Sequence, residues 1–240
     1  MDPKMMCNLD CYGHNIKYKS VLLFGAPGSG KGTQGKILSS IPGFFHSSTG
    51  DIFRSLDLSS EMGRTFWDYS SRGELVPDEF TINLWRNHVK GLELSNQFHP
   101  ENEILVLDGI PRSAKQAKLL EDIIEVQKVI YLVCANMDKM VERLRRRALK
   151  ENRIDDANDK TIQNRLEVYE QKTKPVLDCY PKEKIVKIDA TMSMIGVLSE
   201  IVKILRPLKE ENDQEAESRK EVTKAAKTSR AKSPATASAK

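Results

Sequence analysis

The stretch Gly25-Ala26-Pro27-Gly28-Ser29-Gly30-Lys31-Gly32-Thr33 constrains this chain more than any other. The apolar run Val21-Leu22-Leu23-Phe24 precedes it, and a helix-like stretch from Gln34 to Ser40 follows. Glycines let the backbone curl until several N–H groups face one point, and the start of the next helix adds the positive end of its dipole. A buried strand, a glycine-rich turn and a helix N-terminus therefore make a phosphate site, with Lys31 as a mobile positive charge against the outer phosphates. The general form of such loops has Ser or Thr directly after the lysine, to hold magnesium. Here Gly32 takes that place and the hydroxyl follows one residue later, on Thr33.

The rest of the chain reads as strands alternating with helices. Val21 to Phe24, Ile104 to Leu107, Val129 to Val133 and Ile185 to Ile188 are continuous apolar runs, as expected of parallel strands buried on both faces. Phe44-Phe45-His46, just after the turn signal Pro42-Gly43, is a fifth candidate. Helix-like segments lie between them: Asp78 to Lys90, Ala114 to Glu125, Met137 to Lys150, Asp159 to Cys179 and Met194 to Leu205. This alternation predicts right-handed βαβ crossovers and an α/β fold in three layers, a five-stranded parallel sheet with helices on both faces. Ligands of such sheets sit at the carboxyl ends of the strands, where Gly25 and Asp108 fall.

A length of 240 residues, 39% hydrophobic and 30% charged, suits one such domain with a real core. The formal net charge of +4 fits a pocket for polyanions, although a lysine-rich solvated surface explains it equally. No apolar run approaches the roughly 20 residues that cross a bilayer, and Met1 to Lys19 is an irregular, mixed leader without an apolar targeting segment. A cytoplasmic protein without membrane contact is expected. Of the four cysteines, Cys7 and Cys11 stand near His14, but no second pair completes a tetrahedral zinc set. Cys134 ends an apolar strand and reads as a small core residue. From Lys209 the composition turns to Glu, Lys, Ala, Ser and Thr, so residues 209–240 are expected to be a disordered charged tail. Its last basic stretch, Lys-Thr-Ser-Arg-Ala-Lys-Ser-Pro, reads as a solvated tail rather than a nucleic-acid contact.

Five further stretches carry chemistry. Ser48-Thr49-Gly50-Asp51-Ile52-Phe53-Arg54 ends the Phe44 strand and opens a helix, so at the least it caps free N–H groups. Gly73-Glu74-Leu75-Val76-Pro77-Asp78-Glu79 reads as a turn and a helix start. Leu105-Val106-Leu107-Asp108-Gly109-Ile110-Pro111-Arg112 puts a carboxylate at the end of a buried strand, which is costly without cationic company. Arg143 and Arg147 lie four apart on one helix face, Met137, Met140, Val141 and Leu144 make its buried stripe, and Arg145 and Arg146 point elsewhere. Asn152-Arg153-Ile154-Asp155-Asp156 follows, with Arg165 on the next helix.

Together these stretches resemble, in order, the motifs of adenylate kinases and their nucleoside-monophosphate kinase relatives, over roughly residues 20–208. The resemblance implies reversible Mg-dependent phosphoryl transfer, ATP + AMP = 2 ADP, in adenine nucleotide homeostasis, by a monomer. It also implies an acceptor-binding insertion at about residues 48–77 and a short lid at about 147–158. Carried over residue by residue, Gly28, Ser29, Gly30, Lys31, Gly32, Thr33, Arg143 and Met192 bind ATP. Thr49, Arg54, Glu74, Leu75, Val76, Gly109, Ile110, Pro111, Arg112 and Gln116 bind AMP, with Arg153 and Arg165 closing over the phosphates. Lys31, Asp108, Arg112, Arg147, Arg153 and Arg165 make the catalytic set, and Mg2+ is held with ATP through Thr33 and Asp108 by way of water. Ile110 replaces the family's Phe, and Asn152 stands where many relatives have Gly. Thr49 and Gln116 favour AMP over pyrimidine monophosphates, since Gln both donates and accepts as an adenine edge requires. A UMP/CMP kinase of the same fold is the alternative enzyme. A nucleotide-binding module without turnover, docking through its basic tail, is the alternative of another class.

Overall fold

The computed structural model describes residues 17–151, 153, 156 and 158–231. Cys7, Cys11, His14, Asn152, Ile154, Asp155 and the tail beyond residue 231 lie outside them. Five strands, β1 (Tyr18–Gly25), β2 (Phe44–Ser48), β3 (Ile104–Asp108), β4 (Ile124–Val133) and β5 (Ile185–Asp189), form one sheet. Its order is β2-β3-β1-β4-β5, and every pairing is parallel. Among the described residues eight α-helices connect and cover it: α1 (Lys31–Leu38), α2 (Thr49–Arg54), α3 (Glu61–Ser71), α4 (Asp78–Leu94), α5 (Ala114–Leu120), α6 (Met137–Glu151), α7 (Asp159–Val168) and α8 (Met194–Ala231).

The runs are continuous because alternate residues meet a different helical layer. Leu22, Phe24, Leu105 and Leu107 pack with Trp85 and Val89 of α4 and Leu120 of α5. Val21, Leu23, Val106 and Ile130 face the other way, onto Leu38 of α1 and Val197, Ile201 and Leu205 of α8. A strand buried on both faces has no position left for a polar residue except at its ends. There stand Ser48 and Asp108, opposite each other in the β2–β3 register, with Leu23 opposite Asp108 on the other side.

Several elements differ from their sequence expectation. The helix expected from Ala114 to Glu125 stops at Leu120, and Ile124 and Glu125 instead begin β4, paired with Tyr18 and Lys19 of β1. Pairing with the central strand outweighs the helical pattern, because it satisfies backbone groups at the start of β1 that would otherwise be left without partners. Asp159 to Cys179 is not one α-helix: α7 gives way to a π-turn at Tyr169–Thr173 and a 3-10 turn at Lys174–Cys179. Pro175 lacks an amide hydrogen and cannot continue the α pattern. Helix α3, inside the expected acceptor insertion, was not singled out by the sequence; it starts where Ser60 Oγ accepts from Gly63 N at 3.0 Å. Helix α8 runs through Pro207 to Ala231, so the expected disorder from Lys209 onward is corrected as far as residue 231. Asn212 and Ala216 are buried on the same stripe as Ile201 and Leu205, and that docking holds the segment. Among the described residues no helix is long and apolar enough to cross a membrane.

Candidate active site

The turn from β1 into α1 builds the first part of the site. Gly30 caps α1 at φ 97°, a left-handed conformation that glycine adopts without strain. The first N–H groups of α1 have no partner within the helix and point toward the space above the sheet. Ser29 is buried there with its hydroxyl unpartnered. Lys31 folds back over the loop, its Nζ donating to Gly25 O at 2.6 Å and Ala26 O at 3.0 Å. Gly32 explains the displaced hydroxyl: a Cβ there would lie 3.3 Å from Asp108 Oδ2, so its absence lets the carboxylate close on the loop. Thr33 then carries the hydroxyl at the cavity wall.

All of the candidate residues line one cavity of about 860 Å3, at the large end for a single-ligand pocket. The loop residues Gly28 to Thr33 form its floor, beside the carboxyl ends of β1, β2 and β3. At one end stand Thr49, Arg54, Glu74, Leu75, Val76, Gly109, Ile110, Pro111, Arg112 and Gln116. Thr49 is buried and donates from Oγ1 to Asp108 O at 3.1 Å. Arg54 is steered by Asp51 at 2.5 Å, and Arg112 donates from Nε to Gly109 O at 2.7 Å. Phe53 and Phe66 stack at 5.0 Å between centroids along this wall, which makes an apolar bed for a flat base. The buried Gln116 is more constrained than its side chain alone suggests. Its Oε1 accepts from Arg112 N at 2.7 Å, so one lone pair is already engaged and the amide N–H2 is the group free to serve a ring nitrogen.

At the other end, Arg143 donates to Ala190 O at 3.2 Å, and Met192 follows in the same loop. Gln34 of α1 donates to Met194 O at 3.0 Å and ties that loop to the phosphate-loop helix. Between the two ends Arg147 and Arg165 stand near Lys31 and Arg112, and Arg153 lines the same cavity with its Nε donating to Glu151 Oε2 at 2.5 Å. Arg145 and Arg146 turn outward to Asp159 and Glu142 on the surface, as the helical spacing from Arg143 requires.

Asp156 is the residue that sequence reasoning passed over. It is 1% exposed, and its two oxygens are divided: Oδ2 accepts from Arg147 Nε at 2.9 Å and from Nη2, while Oδ1 accepts from Arg165 Nη1. One carboxylate thus aims two guanidinium groups from two helices into the cavity. It stands nine residues from each partner, a spacing that no helical or strand period exposes. Gln34, Asp51, Phe53, Phe66 and Thr173, which donates to Arg112 O at 3.1 Å, were likewise invisible until packing brought them to the wall. His46, outside every motif, is buried on β2 with Nε2 at 4.0 Å from Asp108 Oδ2, and burial lowers its pKa so that it stays neutral.

The same crowding acts on Lys31. Burial is the largest cause, and the charges of Arg112, Arg147 and Arg165 add to it, so its pKa falls to about 8 despite the opposing pull of Asp108. A lowered amine pKa means the positive form is complete below about pH 8 and is lost above it. Affinity for a nucleoside triphosphate should therefore fall as pH rises through 8, approaching tenfold per unit until the phosphates themselves hold the proton on. Titration calorimetry between pH 7 and 9.5 reads this directly. Lys31→Arg, whose charge does not titrate there, should give a flat profile, and an equally steep one would assign the dependence to another group.

So much fixed positive charge around a glycine-loop cradle suits one class of chemistry, the movement of a phosphoryl group between bound phosphates, and the fold is that of the phosphate-loop kinases. Comparison with known proteins narrows the class. Residues 23–185 match the family described as adenylate kinase. The chain is 36% identical over 191 residues to the adenylate kinase of Kocuria rhizophila, spanning 77% of this chain and 97% of that one. It is 36% identical over 175 residues to the adenylate kinase of Corynebacterium urealyticum, covering 72% of this chain and 92% of that one. It is 35% identical over 196 residues to adenylate kinase isoenzyme 1 of Rattus norvegicus, covering 80% and 97%. The chain belongs to the adenylate kinase family and is a nucleoside monophosphate kinase.

Proposed function

We propose that the protein transfers the terminal phosphoryl group of MgATP reversibly to AMP, giving two ADP. The observation that carries this is the convergence of Lys31, Arg112, Arg147 and Arg165 on one cavity, where burial first and the three guanidinium groups after it lower the lysine's pKa. Like charges in one cleft repel, and Asp108 and Asp156 offset them only in part. A ligand with many phosphate oxygens removes the conflict, and two nucleotides meeting end to end supply such a ligand. Arg112 and Arg54 hold the acceptor phosphate, Thr49 and the Gln116 amide read the acceptor purine, and Phe53 and Phe66 bed it. The loop N–H groups and Lys31 hold the donor phosphates, while Arg143 and Met192 border the donor base. Arg147, Arg153 and Arg165 meet the charge that spreads over the transferred group, and in-line transfer asks little of the protein beyond that positioning. Closing these arginines over the phosphates excludes the water that would compete as acceptor.

Asp108 and the Thr33 hydroxyl are hard oxygen donors beside the phosphate cradle, and they fit a magnesium ion that keeps most of its waters and takes its other ligands from phosphate. Bound there, the ion would supply neutralisation of phosphate charge. A coupled assay of diphosphate formation with MgATP and AMP, UMP, CMP or GMP separately, with an ATP-only control, tests the reading. Turnover with AMP at least about 100-fold above the others is expected, and a preference for UMP or CMP would overturn the roles of Thr49 and Gln116 while keeping the fold.

A further inference from the structure

The family match ends at residue 185, yet α8 continues to Ala231. Pro207 inside it removes an amide donor and crowds the preceding turn, which ordinarily kinks or ends a helix. A helix that survives such a break with almost no large apolar residues beyond Leu208 must be held by what it touches. The touching face is regular: Ile201, Leu205, Leu208, Asn212 and Ala216 fall at helical spacing along one side.

Beyond Leu208 this face lies against the amino ends of three neighbouring strands. Lys209 crosses Gly43, the residue before β2, so closely that a Cβ at Gly43, with φ at +90°, would fall 1.8 Å from the lysine Cε. Lys209 is itself held by Asp213 in the next turn. Asn212 Nδ2 donates at 3.3 Å to Asn102 O, just before β3. Glu215 Oε2 accepts from Lys19 Nζ of β1 at 2.7 Å and from Arg219 Nη2 at 3.0 Å. Gly43 O in turn accepts from Ile104 N at 2.8 Å, which joins the starts of β2 and β3 under the helix. The opposite ends of these three strands carry the phosphate loop, Thr49 and Asp108. Of the three, β2 is an edge strand of five residues, paired on one side alone.

The geometry points to a strap: residues 209–219 of α8 clamp the amino ends of β1, β2 and β3, and this docking sets the rigidity of β2 and thereby the affinity for the acceptor nucleotide bound at its other end. The inference rests on the acceptor end assigned above. Because linkage is reciprocal, acceptor binding must tighten the strap by the same factor that the strap tightens acceptor binding. Release of the strap by a competing partner or by a modification within it would then lower acceptor affinity without touching the donor site.

Hydrogen exchange with mass spectrometry on the full chain, paired with steady-state kinetics, tests this. Ala216→Glu puts a charge into the docked face. It should remove protection from residues 209–219, speed exchange of Phe44 to Ser48 by tenfold or more, and raise the acceptor KM about three- to tenfold with the ATP KM unchanged. Lys19→Glu should act in the same direction more weakly, and Lys19→Glu with Glu215→Lys should restore it. In the unaltered protein, saturating AMP should slow exchange within residues 209–219. Loss of protection in the strap with β2 exchange and the acceptor KM unchanged would overturn the proposal, as would absence of protection at 209–219 in the unaltered protein. The exchange of β2 is read without nucleotide, so a wrong acceptor assignment would appear in the kinetics alone and leave that arm standing.

Discussion

Replacing Lys31 by methionine should leave the fold intact and lower turnover by at least about 100-fold, the usual consequence of deleting one well-aimed charge from a preorganised site. The side chain reaches across the loop to Gly25 O and Ala26 O, both at its own end of the cavity. Methionine keeps most of the stem and removes the charge. Thermal melting should therefore move little while kcat collapses. The depressed pKa of about 8 adds a reason to expect gain elsewhere, since Lys31 is crowded by Arg112, Arg147 and Arg165 when no nucleotide is bound. Relief of that repulsion in the variant should appear as unchanged or slightly raised stability. Turnover within tenfold of the unaltered enzyme, with the melt unchanged, would remove Lys31 from the site.

Asp156→Ala should combine a stability loss with a loss of activity. Breaking a buried ion pair by deleting one partner costs about 3–5 kcal/mol, because the charge left behind is uncompensated. Here two guanidinium groups lose one shared carboxylate at once, but both keep part of their surface in water, with side chains 27% and 17% exposed for Arg147 and Arg165. A loss of about 2–4 kcal/mol follows, discounted from the range for fully buried pairs. For a chain of this size that is roughly 4–16 °C in Tm. Turnover should fall by 100-fold or more, since neither arginine retains its aim. Asp156→Asn, which keeps the shape and one acceptor oxygen, should recover part of the stability and less of the activity. A melt within 1 °C of the unaltered protein would show that the two arginines find other anchors.

These two residues mark how far the chemistry was legible in the sequence. Lys31 announces itself because its partners are its neighbours: the glycines, the strand before and the helix start after all lie within a dozen residues. Thr49, Asp108 and Arg112 are legible for the same reason, each at a strand end where polar residues interrupt an apolar run. Asp156 stands in the same short stretch as Arg153 with no role legible there, because its partners lie on α6 and α7 and nothing in their spacing ties the three together. Gln116 shows a subtler limit. Its type suits a purine edge, but one acceptor lone pair is committed to Arg112 N, which only the folded turn reveals.

The tail is the clearest case of composition misleading. Residues from Lys209 onward hold almost no large apolar side chains, which normally leaves too little burial to offset the ordering entropy. The segment is ordered as far as Ala231 all the same, because a preceding helix delivers it to strand ends that offer backbone acceptors and an oppositely charged lysine. Small residues at Asn212 and Ala216 let it lie close, and closeness has no hydrophobic signature.

By itself the sequence determined the strands, as continuous apolar runs, and the phosphate loop and the order of the motifs, as spacings within single turns; the family entered through the resemblance those motifs bear. The tertiary structure alone decided that residues from Lys31 to Arg165 share one cavity, that Asp156 aims two arginines, and that α8 grips three strands from below. Those contacts join residues tens of positions apart through ordinary polar side chains, and their energy comes from mutual geometry, which no local pattern encodes.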